Sequence, residues 1–86
     1  MPKPGNRRKI KEMLFGDFKR FLRSLGYAYD RTRGSSHHIF KNPETNLKVS
    51  IVSKHGRTVH PKSIIIALHE LKVSTVQFGD WMEGDR

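Results

Sequence analysis

The run "SHHIFKNPETNLKVSIV", Ser36 to Val52, alternates, turns and alternates again. "SHHIFK" reads as a short strand and "NPETN" as a cluster of turn formers. In "LKVSIV", Leu47, Val49 and Ile51 share one face while Lys48 and Ser50 take the other. Upstream, "YAYDRTR" also alternates, and Gly34-Ser35 separates it from the histidine strand. The simplest arrangement of the three is an antiparallel meander.

Helical periodicity flanks these strands. Leu14, Phe18, Phe21, Leu22 and Leu25 recur at spacings of three and four, Lys19, Arg20 and Arg23 occupy the other side, and Gly26 stands where a left-handed cap would stop the helix. Asp17 is the predicted N-cap, the alternative being a helix that starts nearer Lys9 and bends at Gly16. Downstream, "SKHGRTVHPK" reads as a basic loop. In "PKSIIIALHELK", Ile64, Ile65, Leu68 and Leu71 keep helical spacing, with Pro61 suited to the first turn. Three successive isoleucines favour a strand, but the apolar pattern exceeds a typical strand length and points to helix. Ser74 and Gln77 form a capping box, and Val73 with Phe78 a hydrophobic staple, so a short last helix begins at Ser74. Phe78, Trp81 and Met82 follow on it, to pack or to form a contact patch, with Trp81 read as a lid over the small core ahead of a partner anchor. The predicted fold is α+β: α-β-β-β-α around a three-stranded antiparallel sheet, plus a short C-terminal helix, with one sheet face covered by helices and the other open.

Length and charge narrow the function. A chain of 86 residues makes one small domain with little room for a deep pocket. The expected divisions are a basic N-terminal arm over 1–12, a single domain over 13–82 and a frayed tail over 83–86. With 17 Lys and Arg against 8 Asp and Glu, the net charge of +9 draws polyanions, and nucleic acid leads as a partner. No long apolar segment or signal region points to a membrane, so a cytoplasmic protein is expected. The absence of cysteine removes disulfides, thiolate chemistry and cysteine-bearing zinc sites.

Five histidines remain: His37, His38, His55, His60 and His69. An unperturbed imidazole, with a pKa of about 6.5, exchanges protons near neutrality without special burial. RNA carries its own nucleophile in the 2′-OH. Its cleavage without metal needs a group to take the 2′ proton, a group to protonate the leaving 5′ oxygen, and cations to stabilise the transition state. A zinc site is disfavoured, because adjacent strand residues such as His37 and His38 project to opposite faces and no four-ligand set has suitable spacing. Ser36, His37 and Asp30 can be posed as a triad, but nothing marks Ser36 as a strained nucleophile.

"RGSSHHIFKNP", within the longer run from "LRSLGYAYDRTR" to "SIIIALHELKVSTVQF", resembles the HicA toxin family, the small mRNA interferases of HicA-HicB toxin-antitoxin modules. The resemblance covers about Asp17 to Phe78. Two serines stand between Gly34 and His37 where the commonest family form has one. The resemblance implies a fold like the double-stranded-RNA-binding domain, endoribonuclease activity on mRNA that inhibits translation and growth, no cofactor, and a HicB-type antitoxin. It also implies that the histidine after the Gly-Ser turn, His37, is the catalytic one. Strand parity agrees, since with Phe40 in the core His38 shares its side and His37 faces the open side with Ile39.

Around His37, Arg31 and Arg33 on the preceding strand, with Lys41 beyond, either grip phosphate or form a solvated edge that discourages aggregation. Gly34 and Ser35 shape the turn, and their amides are candidate phosphate contacts. Lys54 and His55 are candidates for the same face, His55 as a second proton-transfer group, a phosphate contact or an ordinary loop histidine. The alternative function on the same fold is a non-catalytic RNA-binding module using charge and shape alone.

Overall fold

The computed structural model describes residues 10–53 and 56–84. Element order is β1 (Met13–Leu14), α1 (Phe15–Ser24), β2 (Ala28–Arg33), β3 (His37–Lys41), β4 (Lys48–Val52), β5 (Thr58–Val59), α2 (Pro61–Leu71) and α3 (Thr75–Gly84). Strands β2, β3 and β4 form the antiparallel meander in that order. The architecture is the α+β arrangement that the periodicities predict. The basic residues Lys3, Arg7, Arg8 and Lys9 of the expected arm lie outside the described residues.

Helix α1 begins earlier than the Asp17 cap predicts. Met13 and Leu14 pair antiparallel with Val59 and Thr58, and the Phe15 amide donates to the Arg57 carbonyl at 2.8 Å. Strand pairing therefore satisfies an amide that a side-chain cap would otherwise serve. Leu14 is the N-cap by backbone with no side-chain bond, and Asp17 sits inside the first turn, where it complements the helix dipole. Being in a strand, Leu14 points outward and is 60% exposed, and Phe15 fills the core place predicted for Leu14. The segment read as a basic loop thus contributes β5.

The helix ends behave as glycine and serine chemistry dictates. At the end of α1, Gly26 has φ 93°, its amide bonds to the Arg23 carbonyl and the Tyr27 amide to that of Leu22, a Schellman motif. Pro61 opens α2, and His60 caps it by accepting from the Lys62 amide through Nδ1 at 3.1 Å. Ser74 Oγ accepts from the Gln77 amide at 3.0 Å at the start of α3, as the capping box requires. Helix α3 continues to Gly84, into the stretch read from sequence as a frayed end.

Lys72, after α2, holds φ 59°, with its amide on the His69 carbonyl and the Val73 amide on that of Leu68. A left-handed non-glycine residue here costs about 1 kcal/mol. Lys72→Gly is expected to raise the melting temperature by about 4–8 °C, the shift for that energy in a domain this size. Thermal denaturation followed by circular dichroism checks it, and an unchanged or lower midpoint refutes it.

The core lies between the helices and one sheet face. Phe15, Phe18, Phe21 and Leu22 of α1 meet Phe40, Val49 and Ile51 of the sheet, Ile64, Ala67 and Leu68 of α2, and Phe78 of α3. Trp81 packs edge-on against Phe21 with centroids 5.2 Å apart, in the lid position expected of it. Ile65 is 49% exposed rather than buried, because Ala67 takes its share of the α2 stripe. Leu47 precedes β4 and is exposed at the sheet's end, beyond the helices, instead of sharing the face of Val49 and Ile51.

Strand β2 departs from simple alternation. Tyr29 pairs with Phe40 and Arg31 with Ile39, so Asp30 is the extra residue of a bulge. Strict alternation would put Tyr29, Arg31 and Arg33 on one face. The bulge switches parity between them, leaving Tyr29 against Phe40 of the core and sending both arginines to the open face.

Candidate functional site

Register places the side chains of the open face in three cross-strand rows. Arg33, His37 and Val52 form the row nearest the Gly34–Ser36 turn. Arg31, Ile39 and Ser50 form the next, and Ala28, Lys41 and Lys48 the last. Side chains of directly opposed residues lie about 5 Å apart at Cβ, so Arg33 and His37 are direct cross-strand neighbours. A shallow concavity of about 400 Å³ joins Arg33, Gly34, His37, Ile39 and Ser50.

Three of the residues predicted from sequence, Arg33, Gly34 and His37, therefore share one hollow, and Arg31 stands in the adjoining row. Lys41 does not join them. It lies four residues along β3 from His37, about 13 Å at strand rise, and faces Lys48. These two lysines form a second cationic spot, apart from the one at His37. Ser35 is exposed in the turn. Gly34 holds φ 63°, a left-handed value that favours glycine whatever the surrounding space. Lys54 and His55 lie outside the described residues.

The two histidines occupy opposite faces. His37 is exposed, and its ring has no hydrogen-bond partner among the described residues. His38 is half-buried against Phe15, ring centroids 4.6 Å apart. Its Nε2 lies 3.3 Å from the Ser53 carbonyl and its Nδ1 3.2 Å from Thr32 Oγ1, which in turn lies 2.7 Å from the Tyr29 hydroxyl. A carbonyl only accepts, so Nε2 carries the hydrogen; in the neutral ring Nδ1 then accepts from Thr32. Both nitrogens of His38 are engaged in holding β3 between its neighbours.

Ser53 is the residue sequence reading missed. It is 2% exposed, and all its polar groups are used. Its amide donates to the Ser36 carbonyl at 2.9 Å, its hydroxyl to the Thr58 carbonyl at 2.6 Å, and its own carbonyl accepts from His38. No local pattern marks such a residue, because each partner comes from a different segment.

The open face is cationic. Arg31 approaches a carboxylate only at 3.9 Å, its neighbour Asp30, with both side chains partly exposed, a contact of little energetic weight. Arg33 makes no ion pair among the described residues. Two adjacent guanidiniums left to solvent can hold a phosphodiester, and the exposed imidazole beside them can exchange protons with a hydroxyl next to it. No helix among the described residues is long and apolar enough to cross a membrane.

The family model of the HicA toxin of bacterial toxin-antitoxin modules matches residues 15–77, from the first residue of α1 into α3. The chain belongs to the HicA toxin family. No curated protein and no solved structure matches it. The HicA match spans the whole meander with α1 and α2, so the hollow around His37 lies inside the family domain. Membership of HicA brings a toxin role and an antitoxin partner.

Proposed function

We propose that this chain is a metal-independent endoribonuclease that cleaves messenger RNA, with His37 as its general acid/base. The observation carrying the proposal is the contrast within the histidine pair. His37 stands exposed beside Arg33 with no hydrogen-bond partner among the described residues, while both nitrogens of His38 are committed to the fold.

In the reaction, a base takes the proton of a 2′-OH, the 2′ oxygen bonds to the adjacent phosphorus, and the bond to the 5′ oxygen breaks as that oxygen gains a proton. The products are a 2′,3′-cyclic phosphate and a 5′-hydroxyl. Arg33 and Arg31 neutralise charge growing on the phosphoryl oxygens. His37 takes or delivers one of the two protons, and solvent reaches this open face for the other. Lys41 and Lys48 hold the backbone further along, and the Gly34-Ser35 amides meet phosphate at the turn. Lys54 and His55 are proposed to act on the same face. Cleavage of this kind harms the cell that makes it, so an antitoxin of HicB type, acidic where it docks, covers the basic face in the cytoplasm.

The test uses purified protein and single-stranded RNA in excess chelator. Cleavage with cyclic phosphate ends is expected, and an oligonucleotide with a single 2′-deoxy substitution at the cleaved position should survive. Cleavage of the 2′-deoxy position, or cleavage abolished by chelator, refutes the mechanism. Binding without any cleavage leaves a non-catalytic RNA-binding module instead.

A further inference from the structure

The helix side of the sheet carries a second concavity, opposite the hollow of His37. A groove of about 550 Å³ runs between α1 and β2, with Phe15, Lys19 and Arg23 on one wall, Tyr27 and Tyr29 on the other, and His38 also lining it. That volume falls in the range, roughly 300–1,000 Å³, that accepts a small organic ligand.

The helix wall is a row. Phe15, Lys19 and Arg23 recur every four residues and so stack along one face of α1. Lys19 Nζ lies 5.0 Å over the Phe15 ring. The helix's other cation in this stretch, Arg20, pairs with Asp17 at 3.2 Å, whereas Lys19 and Arg23 make no ion pair among the described residues. Like charges four apart repel along a helix. Here both point at the same groove, where an anion would relieve them.

The strand wall is aromatic and held in place. Tyr29 is 56% exposed, yet its ring meets Phe40 edge-on at 5.8 Å and its hydroxyl is bonded to Thr32. A fixed, half-exposed ring facing two cations that have no ion pair among the described residues matches a ligand with a flat face and a negative charge. A nucleotide has both: aromatic rings stack on bases, and Lys and Arg meet phosphates.

We infer that this groove seats one unpaired nucleotide of a single-stranded RNA, its base against Tyr29 and Tyr27 and its phosphate on Lys19 and Arg23. A base inside a duplex keeps its own stacking partners and does not enter. The inference rests on RNA being the substrate, and adds the path a strand takes beyond the open face. Strand β2 is the sheet's edge, with Tyr29 and Thr32 directed to the groove side and Arg31 and Arg33 to the other. A strand crossing that edge meets both surfaces.

Binding of the full chain to a 2′-O-methyl oligoribonucleotide tests this independently of cleavage, since the nucleophile is blocked. Tyr29→Ala is expected to weaken binding about tenfold, from lost base stacking, and to leave an abasic oligonucleotide of equal length unaffected. Tyr29→Phe, which keeps the ring, should bind as wild type does. The double variant Lys19→Glu, Arg23→Glu should weaken both oligonucleotides, and because both positions lie on the helix surface it keeps the test decisive if Tyr29→Ala folds poorly. Unchanged binding by the double variant, or an equal loss by Tyr29→Ala on both oligonucleotides, overturns the inference. So does a loss confined to antitoxin binding, which would make the groove a protein surface. Wild type that binds and cleaves RNA while Tyr29→Ala changes nothing removes the groove alone; wild type that binds neither oligonucleotide removes the RNA reading with it.

Discussion

Replacing His37 by alanine is expected to lower RNA cleavage by about 10²–10⁴-fold, the range over which a positioned acid/base contributes. Binding to RNA should persist, because the proposed phosphate contacts are Arg31, Arg33, Lys41 and Lys48, and none of these depends on the His37 ring, which has no partner among the described residues. The fold should persist as well, since the residue is exposed. His38→Ala separates the two histidines. It removes the bonds to Thr32 and Ser53 and the contact with Phe15, so its first effect is on stability. Initial rates on a labelled RNA, measured beside a melting curve for each variant, decide between them. Equal activity of His37→Ala and wild type would remove His37 from the mechanism.

Phe21→Ala is expected to cost about 3–5 kcal/mol, the usual loss for emptying a buried phenylalanine position. Phe21 is 1% exposed and sits at the junction of three rings, with centroids 6.0 Å from Phe18, 4.8 Å from Phe78 and 5.2 Å from Trp81. It ties α1 to α3, and none of the three rings can collapse into the space without giving up its own contacts. At roughly 0.05–0.15 kcal/mol per residue, a domain this small holds only about 4–13 kcal/mol in all, so the loss is a large part of its stability. Urea denaturation should show a much lower midpoint or a chain unfolded in buffer. A change under about 1 kcal/mol would mean the cavity closes at almost no cost, against the range for such sites.

The legible parts of the fold were those written in local periodicity. The meander, α2 with its proline start, the Gly26 stop and the Ser74 cap each depend on residues within one turn or one hairpin, and each is where the pattern puts it. The β1–β5 ladder was not legible, because two-residue strands carry no period and their pairing joins positions more than forty residues apart. That hidden pairing also explains the misplaced N-cap, since the Phe15 amide is satisfied across the ladder rather than by a side chain. The bulge at Asp30 escaped for a related reason: a polar residue in an exposed edge strand looks the same whether or not it is counted in the ladder.

For the site, the proximity of Arg33 and His37 follows from a three-residue turn and strand parity, both readable in advance. The anchoring of His38 is not, because it depends on a carbonyl fifteen residues away. Lys41 shows the limit of reading proximity from sequence, since four residues of extended strand carry it away from the histidine it was grouped with.

Ser53 acts as a rivet. Through its amide, hydroxyl and carbonyl it fastens the turn ahead of His37, the strand carrying both histidines and the short ladder that starts α1. The ladder therefore cannot shift by more than a hydrogen bond's slack without pulling on the Gly-Ser-Ser turn. Mechanically, the loop that presents the histidine hangs from the small second sheet as much as from the large one.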